Sequence, residues 1–191
     1  MKAILLAAGL SSRMGRQKLL LPFGGSIVLG TVVRSLLDSG TEIYAVLSRE
    51  TSDAVSADML THTAVNREPE RGQSSSLLIG LDMMPDGEDF FIMLGDLPFV
   101  TSCDIMNLAR QFGELPQDKS VLTPCRDGRF GHPMFCRSVW KERFKTVRGD
   151  AGGRDILRGY ESEIMRVEAP DGSFTDLDTP EDYKKLLNIA R

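Results

Sequence analysis

Residues 1–18 read MKAILLAAGLSSRMGRQK. The run 2–8 is apolar without alternation, which suits a strand buried on both faces, as in a parallel sheet. It breaks off into Gly9, two serines, Arg13, Gly15, Arg16 and Lys18. Glycine lets backbone N–H groups approach phosphate oxygens, and the cations offset phosphate charge. Two familiar phosphate loops fail on spacing. A P-loop needs G-x-x-x-x-G-K-[ST], but five residues separate Gly9 from Gly15, and Leu19 follows Lys18 where a hydroxyl is required. A dinucleotide fingerprint needs a glycine two positions after the first, and Ser11 stands there. A solvated surface loop would carry the same charges. The place directly behind the first buried strand favours a triphosphate cradle.

Outward from this stretch the chain alternates. Val28, Val32, Val33, Leu36 and Leu37 recur at helical spacing, with Gly40 as a stop. EIYAVLS (42–48) is a second strand, followed by a short polar helix over 52–60 and a strand near 63–65. SSLLIGLDMM (75–84) predicts a helix, and DFFIMLGD (89–96) a buried strand ending in an acid. Thr101 or Ser102 caps a helix to about 112. KSVLTP and HPMFC add two strands with antiparallel character, and DTPEDYKKLLNIA (178–190) closes with a helix carrying Pro180 in its first turn. This alternation predicts an α/β sandwich around a mainly parallel sheet. Ligands of such sheets gather beyond the carboxyl ends of the strands. AAG after the first strand and GDLP after the 89–95 strand therefore open onto one pocket.

With 191 residues the simplest organisation is one domain, 1–191. A net charge of −4 argues against nucleic-acid or membrane-surface partners. Cys103, Cys125 and Cys136 form no C-x-x-C, and His62 and His132 are the whole imidazole complement, so a zinc cage is not expected. Free thiols and the absence of an eighteen-residue apolar run point to a cytoplasmic protein.

Other motifs each admit two readings. Asp96 in GDLP either holds Mg²⁺, which favours one or two carboxylates plus substrate phosphates, or starts a turn before Pro98. His132 in RFGHPMF is a structural or a substrate-lining residue. In GDAGGRDIL (149–157), Asp150 and Arg154 belong to a glycine-rich helix entry that could take a second anion. GQSSSLLIGL (72–81) offers Gln73 and the hydroxyls of Ser74, Ser75 and Ser76 to a base, or caps a helix, and Asp178 in DLDTPED is a cap or a second metal ligand.

Together, LLAAGLSSRMGRQK, GQSSSLLIGL, MLGDLPFV, GHPMF, GDAGGR and DLDTPED, in this order, resemble the molybdenum-cofactor cytidylyltransferase branch of the nucleotidyltransferases over nearly the whole chain. The guanylyl-transferring relatives usually read A-G-G with an acid before the lysine. Ala8 between Ala7 and Gly9, and Gln17 before Lys18, resemble the cytidylyl side. The resemblance implies a Rossmann-like three-layer sandwich and dependence on Mg²⁺, with Asp96 and Asp178 as metal ligands. It implies a catalytic set of Lys18, Arg13 and Asp96. Ala7, Ala8, Gly9, Gly15, Gln73, Ser74, Ser75, His132, Asp150 and Arg154 would bind substrates. Those substrates would be CTP and a molybdopterin-type acceptor, with a molybdoenzyme or its maturation chaperone as a protein partner. The alternatives are GTP as donor, a sugar or polyol phosphate as acceptor, or a non-catalytic carrier of the finished cofactor.

Overall fold

The computed structural model describes residues 1–191 apart from 12–13, 56–59, 147–153, 178 and 190–191, and apart from the side chains of 154–155, 185–186 and 188–189. Its strands are β1 (Lys2–Ala7), β2 (Pro22–Phe23), β3 (Ser26–Ile27), β4 (Glu42–Leu47), β5 (His62–Val65), β6 (Phe90–Leu94), β7 (Val121–Arg126), β8 (Arg129–Phe130), β9 (Met134–Cys136) and β10 (Ile164–Val167). The helices are α1 (Val28–Asp38), α2 (Arg49–Ala54), α3 (Gln73–Met83), α4 (Ser102–Gly113), α5 (Trp140–Phe144), α6 (Arg154–Leu157) and α7 (Pro180–Ile189).

The main sheet runs β10-β7-β9-β6-β1-β4-β5, with β8 hydrogen-bonded to β7, and β2–β3 form a separate ribbon. Pairing is parallel between β1 and β4, β1 and β6, β4 and β5, and β7 and β10. β9 is antiparallel to both neighbours, β6 and β7. The antiparallel character expected of HPMFC is therefore present.

Strand periodicity sorts β1 onto two cores. Ala3, Leu5 and Ala7 pack with α1 and α4 residues such as Leu29, Val33, Ile105 and Phe112. Ile4 and Leu6 face Leu77, Leu81, Trp140 and Phe144 from α3 and α5. Helix, sheet and helix make the three-layer sandwich. The chain runs out from β1 through β4 to β5, then returns to β6 on the other side of β1. A crevice opens at such a switch point, beyond the carboxyl ends of β1 and β6.

Three local readings change. The polar helix expected over 52–60 is α2, Arg49–Ala54, because Ser48 starts it early: Thr51 N–H donates to Ser48 Oγ at 3.2 Å, and Ser48 N–H donates to Thr51 Oγ1 at 2.9 Å. Helix α3 begins at Gln73, two residues before the expected start, because Gly72 adopts φ 87°, a conformation favouring glycine, and ends the turn before it. The strand β10 was not expected, and neither were β2, β3, β8 and helix α5; each is too short to show a period. No helix among the described residues is long and apolar enough to cross a membrane.

Candidate active site

The loop behind β1 is held closed by one side chain. Gln17 Nε2 donates to Gly9 O at 3.0 Å, while its Oε1 accepts from Ser11 Oγ at 2.8 Å and from Leu19 N–H at 3.4 Å. Lys18 N–H adds a bond to Ser11 Oγ at 3.1 Å. The loop's two ends are thus stapled across eight residues, and Lys18 leaves it directed at the crevice.

Beyond β6, Gly95 N–H donates to Leu6 O at 3.0 Å, so the pairing with β1 persists one residue past the strand. A Cβ at position 95 would lie 3.1 Å from Ala7 Cβ and 3.3 Å from Leu6 O. The missing side chain allows this close approach and carries Asp96 into the crevice. There Lys18 Nζ meets Asp96 Oδ2 at 2.5 Å, between side chains only 13% and 14% exposed. Burial holds the Asp96 carboxyl above its usual value, outweighing Lys18, and the nearby charge of Asp176 pushes the same way.

The third wall is the start of α3. Gly72, Gln73 and Ser76 line the cleft with Leu6, Ala8, Gly9, Lys18, Leu19, Pro69, Leu94, Gly95 and Asp96, around about 180 Å³. No side chain caps α3, so its first-turn N–H groups and positive dipole end face the same space as Lys18. Two positive features beside one buried carboxylate suit a polyphosphate accompanied by a cation.

The expected residues are placed as follows. Lys18, Asp96, Ala8, Gly9 and Gln73 share the cleft. Ala7 is 1% exposed at the strand end, and its carbonyl accepts from Thr51 Oγ1 at 3.0 Å. Gly15 lies exposed on the loop with φ 65°, away from the cleft lining. Ser74 is buried. Ser75 Oγ donates to Gly72 O at 2.7 Å and accepts from Asn66 Nδ2 at 2.9 Å, which ties the β5–α3 turn together. Of the three serines, it is Ser76 that reaches the cleft, with Asn66 Nδ2 donating to its hydroxyl at 2.9 Å. His132 lines a neighbouring groove and its Nδ1 lies 3.1 Å from Ile92 O. Arg13, Asp150, Asp178 and the side chain of Arg154 lie outside the described residues.

Sequence reasoning missed Gly72, Leu19, Pro69 and Leu94 as lining residues, and missed Gln17 as the staple. The glycine preceding QSSS was the available signal for the first. A second groove of about 690 Å³ adjoins at Gly9 and Pro69, walled by Gln17, Arg49, Asn66 and Arg67 among others.

Among the described residues no three His, Cys, Asp or Glu side chains gather to hold a metal. The donor chemistry still suits a hard divalent cation, since Asp96 is a buried oxygen donor whose charge is opposed by Asp176. Such an ion takes much of its shell from substrate phosphates and water.

The chain matches the family described as MobA-like NTP transferase domain over residues 3–165. It is 29% identical to the purine catabolism protein PucB of Bacillus subtilis, covering 94% of this chain and 92% of that one. It is 26% identical to the molybdenum cofactor cytidylyltransferase of Escherichia coli over the same shares of each chain. Among solved structures, Rv0371c of Mycobacterium tuberculosis superposes with a TM-score of 0.83 at 24% identity, covering 98% of this chain and 96% of that one. A manganese complex of Rv0371c superposes at 0.78 and 22% identity, covering 98% and 97%. This chain belongs to the MobA-like NTP transferase family and is a nucleotidyltransferase.

Proposed function

We propose that this nucleotidyltransferase moves a cytidylyl group from CTP to the terminal phosphate of a molybdopterin-type acceptor and releases pyrophosphate. The observation that carries the reading is the buried Lys18–Asp96 pair at the carboxyl ends of β1 and β6, beside the uncapped start of α3. In the transfer, an oxygen of the acceptor phosphate forms a bond to the α-phosphorus. The bond to the bridging oxygen breaks, and its electrons leave on pyrophosphate. A phosphate monoester is largely ionised at neutral pH, so no strong general base is needed. The obstacle is anion meeting anion, which is overcome by positioning and charge neutralisation.

Lys18 balances charge on the departing pyrophosphate, and Arg13 adds to it. Ala8 and Gly9 bring the backbone close to the nucleotide, with Gln73 and Ser76 opposite. Asp96 and Asp178 would hold a divalent cation, Mg²⁺ in this reading, which neutralises the phosphates and draws electrons from phosphorus when bound. The manganese complex of Rv0371c supports a divalent ion in this fold. The Escherichia coli relative's name, and Ala8 and Gln17 in the loop, support CTP and the acceptor class. The three cysteines, all unpaired, support a cytoplasmic setting.

The test is pyrophosphate release with each of four nucleoside triphosphates, with and without molybdopterin. Release with CTP and molybdopterin well above every other combination is expected. Preference for GTP, or for a sugar or polyol phosphate, would reassign donor or acceptor. No release with any pair, together with tight binding of the nucleotide-bearing cofactor, would make the protein a carrier.

A further inference from the structure

Gln17 and Lys18 are chain neighbours with different surroundings. Lys18 lines the cleft, with Nζ 2.5 Å from Asp96 Oδ2, whereas Gln17 walls the adjoining groove and is no part of the cleft lining. Both ends of the Gln17 amide are nevertheless engaged. Leu19 N–H can only donate and Gly9 O can only accept, so these two contacts fix which end is oxygen and which is nitrogen. The oxygen takes a second donor, Ser11 Oγ at 2.8 Å. That same hydroxyl accepts from Lys18 N–H at 3.1 Å. Ser11 is itself held at φ 51°, a left-handed conformation that a side chain disfavours.

The flanks of the loop are anchored separately. On one side, buried Thr51 donates its hydroxyl to Ala7 O at 3.0 Å. On the other, Leu19 is buried in the core shared with α1. Of the four bonds that close the loop between these anchors, Gln17 makes three. The closure needs a donor for Gly9 O and an acceptor for Ser11 and Leu19 on one side chain. A carboxamide supplies both, and a carboxylate only accepts. The lysine ammonium is a compact charge on a flexible stem, so its working position depends on where its main chain is held.

We propose that Gln17 is a positioning residue for the transfer. Through Ser11 and Gly9 it fixes the Lys18 main chain, and with it the place where the ammonium meets the pyrophosphate end of the nucleotide. The assignment rests on the role given to Lys18 above and deepens it. Gln17 acts through Lys18 and touches no phosphate itself.

Gln17→Met keeps the length of the side chain and removes its hydrogen bonds. These bonds lie in an exposed or half-exposed loop, so the melting temperature should stay within about 3 °C of wild type. The probe is inorganic pyrophosphate with Mg²⁺, titrated calorimetrically, because it needs neither base nor acceptor. Its affinity and the nucleotide kcat/KM should each fall about tenfold while acceptor KM stays within about twofold, a smaller loss than the roughly hundredfold a 1 Å misplacement can cause. In a Lys18→Met background, adding Gln17→Met should change pyrophosphate affinity by less than about twofold, since the two residues act as one unit. If Lys18→Met binds too weakly to titrate, Ser11→Ala takes its place. It should reproduce the loss alone and leave Gln17→Met less than about twofold to add.

Equal losses in both backgrounds overturn the assignment, because Gln17 then acts on its own. Unchanged pyrophosphate affinity in Gln17→Met overturns it too, as does a loss accompanied by a fall in melting temperature beyond about 5 °C. If wild type binds pyrophosphate but transfers to no acceptor, that failure belongs to the proposed acceptor, and the titrations still decide Gln17. If wild type binds no pyrophosphate, Lys18 has no such role and Gln17 has none through it.

Discussion

The two ends of the central sheet carry the same kinds of charged residue and treat them in opposite ways. At the amino ends of β1 and β4, Lys2 lies 3.5 Å from Glu42 and 3.3 Å from Glu88, and His62 Nε2 lies 3.1 Å from Glu42. These acids and His62 are 42–49% exposed. At the carboxyl end, a single lysine and a single aspartate meet at 2.5 Å with side chains only 13% and 14% exposed. The carboxylates respond in opposite senses. Glu42 is held below its usual value, above all by the Tyr44 hydroxyl, which with Lys2 and His62 outweighs the effect of burial. Asp96 is held above its usual value, because burial outweighs its lysine. Water settles the charges at one end cheaply, whereas the other retains unfavourable electrostatics that a polyphosphate and a cation would relieve. Strain of that kind is commonly found where chemistry is done.

The comparison breaks first at Asp96. Asp96→Asn keeps the size and removes the charge, so kcat for pyrophosphate release should fall by roughly two orders of magnitude or more. Glu42→Gln at the opposite end should leave kcat unchanged. Turnover near that of wild type in Asp96→Asn would reduce Asp96 to a turn residue before Pro98.

Lys18→Met tests whether the pair is bound by burial. Its removal leaves Asp96 an uncompensated buried charge, which should cost about 3 kcal/mol of stability at neutral pH. Because Asp96 binds its proton more tightly folded than unfolded, its contribution is fully present below the unfolded value of 3.8 and lost as pH rises through the folded one. The variant should therefore recover towards wild type on acidification. Glu42, with the opposite shift, contributes above 4.5 and loses that contribution as pH falls. Urea midpoints at pH 4, 5.5 and 7 measure the recovery, and a pH-independent deficit would sink it.

How far this contrast was legible in the sequence depends on the kind of interaction. The strands 2–8 and 89–96 and the helix from Val28 were readable, because burial imposes a period on every residue of an element. That Lys18 and Asp96 share a pocket, though 78 residues apart, followed from the rule that parallel strands present their carboxyl ends together. Gln17 is different. Its place before Lys18 stood in the sequence only as a resemblance, whereas its bonds to Gly9, Ser11 and Leu19 arise from one loop conformation that no spacing encodes. The short helix α2 was misplaced because Thr51 stands where a capping box usually carries Glu or Gln.

Nucleotide binding should sharpen the contrast between the ends. CTP with Mg²⁺ at about 100 times its Kd stabilises the bound state by about 2.7 kcal/mol. Amides of Gly9, Lys18, Gly72 and Gln73 that exchange by local opening should then slow by roughly a hundredfold. Those of Glu42 and Glu88 should keep their rates wherever they exchange by local opening. GTP should protect the same amides less, and equal or greater protection by GTP would reverse the cytidylyl assignment. Slowing that is uniform at both ends would show that nucleotide acts only through global stability.

The smallest effect belongs to the amino end. Tyr44 is 2% exposed, stacks on His62 with ring centroids 4.4 Å apart, and donates its hydroxyl to Glu42 Oε1 at 2.8 Å. Burial, and then that bond to a carboxylate, push its phenol up to about 12 from 10.0. Tyr44→Phe strands only Glu42, which is exposed enough to turn to water, so the melting temperature at neutral pH should fall by about 2 °C or less. The alkaline limb is more telling. A raised folded value means the contribution is fully present below pH 10 and lost as pH rises towards 12. Wild type should therefore lose its advantage across that window, while Tyr44→Phe, with no phenol there to ionise, declines less steeply. Urea midpoints at pH 9, 10.5 and 11.5 would show the two proteins converging. Parallel curves would mean that Tyr44 ionises as freely folded as unfolded, and that the amino end of the sheet holds no buried titratable group.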